Sequence, residues 1–385
     1  MRIAVDYTAA ARQGGGIGRY ARELIGALLA TDDKNAYVLM AASAGLGGRW
    51  RDEQARLRAL AASPEHLTFR SLPLTDDWMA RIWQRLRLPL PAELVTGPVD
   101  RFYSPDFVLP PLRKSTRSLL TVHDLSFLRH PDTFPPPLLR YLKQSVPRSV
   151  ARADHILADS DATRDDLITL LNVSPRRVTT LYSGVSPDFN TTVTENERAR
   201  LRARYDIGDR PFILTVGTVQ PRKNYVRLIK ACDSLAKARD LDLVIVGQPA
   251  WLAAPILAAA DARPYVHRLG FVADGDLPAL YRQATVFAFP SLYEGFGLPP
   301  LEAMACGTPV VASTSSSVPE VVGDAGLLVD PLDVSAWTDA LRRLLDDESL
   351  GVALRERGLK RAAGFIWSRT AQMWLEISER LTQTP

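Results

Sequence analysis

Short apolar runs alternate with amphipathic segments along most of this chain, and they do so in two successive series. The first series is Ile3–Asp6, Tyr37–Met40, Leu67–Arg70, Arg101–Tyr103, Ser118–Val122 and His155–Ala158. The second is Phe212–Gly217, Leu243–Val246, Val266–Leu269, Val286–Phe289, Pro309–Ala312 and Gly326–Val329. Helical patterns fall between them, at about 17–30 in the first series and at about 225–238, 278–283, 301–305 and 335–345 in the second. Strands that alternate with helices imply parallel sheets. A polar stretch at 189–197 separates the two series and reads as a linker. At 385 residues the chain is also too long for one ordinary core. The expected fold is therefore α/β, with two Rossmann-like domains at 1–190 and 191–367.

Bulk composition narrows the class. Hydrophobic content of 46% and charged content of 23% are those of a soluble globular protein. No apolar run approaches a membrane span, and the chain opens directly on a strand without a signal-peptide pattern, which points to the cytoplasm. Cys232 and Cys306 sit among small apolar residues and read as buried thiols; two cysteines support no metal framework. Residues 1–190 carry 25 Lys and Arg against 20 Asp and Glu, an excess too small to signal a polyanionic partner. No basic stripe interleaved with aromatics suggests nucleic acid.

Residues 294–302, Glu-Gly-Phe-Gly-Leu-Pro-Pro-Leu-Glu, lie between the strand ending at Phe289 and a helix. Glu294 stands on a loop at a strand's C-terminal edge, and Glu302 one turn into the helix. The N–H groups of Gly295, Phe296, Gly297 and Leu298 lie at the helix N-terminus, a ready anion site. A site that holds a sugar, a diphosphate and a ribose in a row needs this set: two carboxylates for hydroxyls, and bare N–H groups for phosphate. Gly217-Thr-Val-Gln-Pro-Arg222-Lys223-Asn224 places two cations beside another helix N-terminus, a pattern suited to a diphosphate. Charge on the phosphate grows as a glycosidic bond breaks, so such cations stabilise a transition state more than a ground state.

In the first series, Gly15 and Gly16 precede a helix and leave room for a phosphate. They do not form a dinucleotide fingerprint. His123 follows a strand, where open α/β sheets place ligands. Asp106, after another strand, is a candidate acceptor contact. Asp159-Ser160-Asp161 matches an Asp-x-Asp metal motif, but it follows a strand and opens a helix, where Ser160 or Asp161 caps. No metal is expected. Asp76 to Leu88 is an Arg- and Trp-bearing amphipathic segment. It reads first as a domain helix burying Trp78, Ile82 and Leu86, and second as a peripheral contact with a membrane.

The block Glu294-Gly-Phe-Gly-Leu-Pro-Pro-Leu-Glu302-Ala-Met-Ala-Cys-Gly-Thr-Pro resembles the Glu-x7-Glu signature of the retaining GT-B glycosyltransferases of family 4. Pro221-Arg222-Lys223 and Thr121-Val-His123-Asp124 are similar to further motifs of that family. The resemblance implies two domains facing across a cleft, with the final helix, 368–385, completing the first. It implies that Glu294 and His123 approach the donor sugar, that Glu302 takes the ribose, that Arg222 and Lys223 take the diphosphate, and that Gly15 and Gly16 close the phosphate side. Cleft closure would bring His123 and Arg222 together. The implied reaction moves a sugar from a nucleoside diphosphate sugar to a hydroxyl of a glycan or lipid-linked acceptor, with no cofactor. Gly-Thr-x-x-Pro-Arg-Lys-Asn combined with Val318-Pro-Glu-Val-Val-Gly-Asp-Ala-Gly326 makes GDP-mannose the expected donor and surface-polysaccharide assembly the expected setting. Tyr182-Ser183-Gly184-Val185 departs from the family's Asn-Gly-Val. Two alternatives stand beside this reading: a UDP-sugar epimerase of the same architecture, and a non-catalytic sugar-nucleotide-binding protein.

Overall fold

The computed structural model describes residues 1–194 and 196–381. Glu195, in the expected linker, and the last four positions of the expected 368–385 helix lie outside the described residues. The chain divides into two compact units. The first comprises Met1–Leu125, Arg140–Gly184 and the segment from Ile366; the second comprises Ser126–Leu139 and Val185–Phe365.

The first unit is built on seven parallel strands: β1 (Arg2–Asp6), β2 (Ala36–Ala42), β3 (Leu67–Leu72), β4 (Arg101–Ser104), β5 (Arg117–Val122), β6 (His155–Ala158) and β7 (Val178–Thr180). Their order is β3-β2-β1-β4-β5-β6-β7. Ile3 pairs with Tyr37 on one side and Arg101 on the other, so the winding reverses between β1 and β4. Such reversals open the crevice in which α/β sheets hold ligands. The helix Gly16–Thr31 lays Leu24, Ile25 and Leu28 against this sheet, all fully buried. The helix Trp367–Arg380 returns to the same core through Trp367, Ala371, Trp374 and Ile377. A Cβ at Gly184 would stand 2.4 Å from the Trp367 backbone nitrogen, so only glycine fits there. The unit boundary accordingly falls after Gly184, ahead of the expected 190.

The second unit has six parallel strands: β8 (Phe212–Val216), β9 (Asp242–Val246), β10 (Val266–Gly270), β11 (Val286–Phe289), β12 (Val310–Ser313) and β13 (Gly326–Val329). The order β10-β9-β8-β11-β12-β13 puts the switch point between β8 and β11. Side chains alternate between two buried faces. Leu214, Val244, Phe287 and Val310 join one core, while Ile213, Ile245, Val286 and Val311 join the other. Burial on both faces explains why these strands read as continuous apolar runs.

Two placements differ from expectation. Ser126–Leu139, expected within the 1–190 domain, belongs to the second unit. There Trp251 Nε1 donates to the Thr133 carbonyl at 2.9 Å, and Phe134 stacks on Trp251. The segment at 76–88 buries Met79, Trp83 and Gln84 and leaves Trp78 and Leu86 exposed, the reverse of the expected face. Its helix Asp76–Ala80 runs into a wide π turn at Arg81–Arg85. The inward face is fixed by polar bonds: Trp83 Nε1 donates to the Leu90 carbonyl at 2.9 Å and Gln84 Nε2 to the Leu109 carbonyl at 3.1 Å. Among the described residues, no helix is long and apolar enough to cross a membrane.

Candidate active site

In the second unit the site begins where β8 ends. Gly217 takes φ +149°, and a Cβ there would crowd Lys223 Cε and the Tyr225 hydroxyl at 3.0 Å. Gly247, leaving β9 at φ +145°, could carry no Cβ at all, because it would lie 2.1 Å from the Gly217 carbonyl oxygen. Glycine tolerates both conformations and both approaches. The chain then makes a 3₁₀ turn at Pro221–Lys223, and Asn224 at φ +59° starts the helix Tyr225–Ala238. Asn224 Nδ2 donates to the carbonyls of Pro290 and Pro331, at 3.0 and 2.7 Å, which fixes the turn beside the exits of β11 and β13.

This turn brings three of the sequence-derived candidates together. Lys223 Nζ lies 2.7 Å from Glu294 Oε1, and Arg222 Nη1 lies 2.9 Å from Glu294 Oε2. Arg222 also donates to the Tyr293 carbonyl, and Lys223 Nζ stands 5.0 Å from the centre of the Phe289 ring. Lys223 and Glu294 are both buried. Burial pushes the Glu294 carboxyl up, but the charges of Arg222 and Lys223 outweigh it and hold the group down at about 2. Glu294 is thus ionised at neutral pH, with two cations on its one carboxylate beside the switch point.

The loop after Glu294 is held by two serines that sequence reasoning did not single out. The Glu294 N–H donates to Ser316 Oγ at 2.7 Å, and Ser316 Oγ donates back to the Glu294 carbonyl at 2.9 Å. Ser317 Oγ donates to the carbonyls of Glu294 and Phe296, at 2.9 and 2.6 Å. Ser316 itself sits at φ +47°. Gly297, at φ +125°, leads into the helix Leu298–Ala305. Pro299 and Pro300 follow at once and have no N–H, so the donors of this helix start end at Leu298. Phe296 turns its ring inward against Phe365. Glu302 is buried, and Tyr281 donates its phenol to Glu302 Oε2 at 2.8 Å.

The first unit carries its own polar cluster at the ends of β4, β5 and β6. His123 is buried; Nδ1 lies 2.7 Å from Asp159 Oδ2 and Nε2 lies 2.8 Å from the Pro105 carbonyl. A carbonyl only accepts, so Nε2 carries a proton, and a second proton on Nδ1 makes the ring a cation against Asp159. Burial pushes this imidazole down, but the charge and hydrogen bond of Asp159, with Asp106 and the Pro105 carbonyl, lift it to about 9. Both ring nitrogens are therefore committed within the protein. Tyr20 and Phe107 meet the ring edge-on at 4.9 and 5.3 Å. Asp106 has its carboxyl pushed up by burial and receives Gln13 Nε2 at 3.4 Å. Ser160 caps the next helix through the Thr163 N–H at 3.0 Å, and Asp161 accepts from Thr180 and Tyr182, so the Asp-x-Asp pair is divided between a histidine and a strand edge. Gly15 and Gly16 have no atom within 4 Å of where a Cβ would stand. Gly18 is the sterically required glycine: its Cβ would meet the Gln13 carbonyl oxygen at 2.1 Å.

Two parallel-sheet α/β units, each with one reversal of winding in its sheet, make up the GT-B fold. The same fold is seen in HepE of Anabaena, solved with UDP and glucose, with a TM-score of 0.72 and 17% identity over the whole of both chains. Residues 14–189 match the description "Glycosyltransferase Family 4" and residues 197–361 match "Glycosyl transferases group 1". O-antigen chain mannosyltransferase B of Escherichia coli is 36% identical over 69% of this chain and 70% of that protein. Serotype-specific mannosyltransferase WbdA of Escherichia coli is 35% identical over 60% of this chain, which spans only 29% of that longer protein. The chain belongs to glycosyltransferase family 4.

Proposed function

We propose that this glycosyltransferase moves mannose from GDP-mannose to a hydroxyl of a glycan or lipid-linked glycan, with retention at the anomeric carbon, without a metal ion, in the assembly of a surface polysaccharide. The observation that carries the donor assignment is the Arg222–Glu294–Lys223 cluster. Its two cations are already oriented by one buried carboxylate, so a diphosphate that docks there meets charge without reorganisation. The choice of mannose and of a polysaccharide setting rests on the similarity to the two mannosyltransferases.

In this reading the acceptor oxygen attacks the anomeric carbon from the face that the diphosphate leaves. The bond from that carbon to the phosphate oxygen breaks, and the departing phosphate takes the acceptor proton. Arg222 and Lys223 stabilise the charge that builds on the leaving oxygen. Glu294, held ionised, orients the cations and accepts from sugar hydroxyls; it is too weak a base to take the acceptor proton. Glu302, placed by Tyr281, takes the ribose. Leu298 and the backbone of Gly295, Phe296 and Gly297 border the phosphate and sugar. In the first unit, His123 contributes a fixed positive charge and an ordered Pro105–Asp106 backbone, Gly15 and Gly16 are the residues that the family resemblance assigns to ligand contact, and Asp106 is the candidate acceptor contact. A cytoplasmic setting suits the buried, unbridged thiols of Cys232 and Cys306.

The test is transfer from GDP-mannose to a mannose-terminated, polyprenyl-diphosphate-linked oligosaccharide in EDTA, with the linkage assigned by NMR. An α-linked product formed in EDTA is expected. A β-linked product would contradict retention, and loss of transfer in EDTA would contradict metal independence. Transfer from UDP- or ADP-sugars alone would reassign the donor.

A further inference from the structure

The strap between β3 and β4 in the first unit turns its apolar side chains outward. Trp78 is 50% exposed, Leu86 65%, Leu88 40%, Leu90 45% and Leu94 63%. Five of the fourteen exposed large apolar side chains among the described residues thus fall within one short strap. Such clustering marks an interaction surface, unlike singly scattered apolar residues. The strap cannot hide them by rolling over, because Met79, Trp83 and Gln84 already occupy its inner side and Trp83 and Gln84 are hydrogen-bonded there.

The charges beside this apolar edge are mostly positive. Arg81, Arg85 and Arg87 are exposed. The Arg81 guanidinium lies over the Trp78 ring at 5.0 Å, and that of Arg85 over Tyr141 at 5.8 Å. Of the nearby carboxylates, Asp76 pairs with Arg12 at 3.0 Å, while Glu93 is buried and accepts from the Arg113 N–H at 3.0 Å and from the Thr116 hydroxyl at 2.5 Å. Asp77 and Asp100 are the other exposed acids of the strap, and Asp100 accepts from the Arg2 N–H at 2.7 Å.

We propose that this strap docks the protein onto an anionic lipid bilayer. Trp78 and the leucines enter the headgroup boundary, and Arg81, Arg85 and Arg87 lie against lipid phosphates. Tryptophan and leucine beside arginine are what an interfacial element requires: an apolar edge to bury, an aromatic ring at headgroup depth and cations for the anionic surface. The proposal is independent of the donor and acceptor readings.

Trp78 supplies the measurement. Trp50, Trp83, Trp337, Trp367 and Trp374 are buried and Trp251 is half-buried, so Trp78 is the exposed tryptophan that can report contact. The full chain is mixed with vesicles of phosphatidylethanolamine and phosphatidylglycerol, or of phosphatidylcholine alone. Sedimentation and quenching by acyl-chain-brominated lipid are read. Binding to the phosphatidylglycerol vesicles is expected, with quenching that Trp78→Phe largely removes. The triple change Arg81→Glu, Arg85→Glu, Arg87→Glu should weaken partitioning by about a hundredfold or more. Leu86→Ser with Leu90→Ser should also weaken it. Unchanged melting curves would show that these surface variants still fold. Equal binding of the charge-reversed variant, or no binding to either vesicle, would overturn the proposal. So would concentration-dependent self-association in solution that the leucine variant abolishes, because the strap would then join two copies of the chain.

Discussion

Glu294 is the anchor of the second unit's site, and each of its carboxylate oxygens already has a cation. Lys223→Ala leaves Glu294 paired with Arg222, so the fold should survive while one charge on the leaving group is lost. The expected cost is about 2–4 kcal/mol in the barrier. Steady-state kcat/KM beside a melting curve checks this; a loss below about threefold would remove Lys223 from the diphosphate site. The ionised groups also set the pH range. Glu294, held at about 2 against an ordinary 4.5, contributes stability that is present above 4.5 and lost as pH falls through about 2. His123, lifted from 6.5 to about 9, contributes stability that is full below 6.5 and lost as pH rises through about 9. In Asp159→Asn the alkaline loss should move to lower pH, and the NMR titration of the His123 ring should move with it; an unmoved titration would mean that Asp159 does not hold the charge. Arg222, Lys223 and Glu294 were legible in the sequence because each stands beside a strand end in a recognisable block. Asp159, Tyr281, Ser316 and Ser317 were not. They act on residues 21 to 36 positions away, and nothing in their own neighbourhoods announces it. Asp159 stood instead inside an apparent metal motif.

The elements were legible where burial is symmetric. Strands covered on both faces, such as β11 and β12, are continuous apolar runs, and a helix such as Tyr225–Ala238 carries a single apolar stripe. β7 is three residues long, and too short to make a pattern. The helix Glu348–Ala362 contains Gly351 and Gly358; the second is kept small by Met304, 3.2 Å from where its Cβ would stand. At 76–88 the apolar period was real, but hydrogen bonds of Trp83 and Gln84 chose the other face. The glycines give a test at this scale. Gly16→Ala meets no neighbour and should leave the melting temperature unchanged or slightly higher, so any loss of turnover would report ligand approach. Gly18→Ala drives a methyl into the Gln13 carbonyl and should lower the melting temperature. Gly297→Ala, at φ +125°, should cost about 1–3 kcal/mol of stability and distort the loop carrying Glu294. Equal melting curves for Gly16→Ala and Gly18→Ala would contradict this division of roles.

In the whole molecule, each of two Rossmann-like units carries polar chemistry at the C-terminal ends of its strands, and the chain is a family 4 glycosyltransferase on that frame. The division of the chain was legible from its two strand series. The assignment of Ser126–Leu139 to the second unit was not, because it depends on Trp251, more than a hundred positions away, taking hold of Thr133 and Phe134. The central claim is that Arg222 and Lys223, oriented by Glu294, hold the donor diphosphate without metal. Calorimetric titration of GDP in EDTA tests it most directly, comparing the natural chain with the Arg222→Ala, Lys223→Ala double variant and with mannose as a control ligand. Binding of GDP by the natural chain in EDTA, weakened about a hundredfold or more in the double variant, is the expected result. Equal GDP affinity in both proteins, or GDP binding that appears only when Mg²⁺ is added, would contradict it.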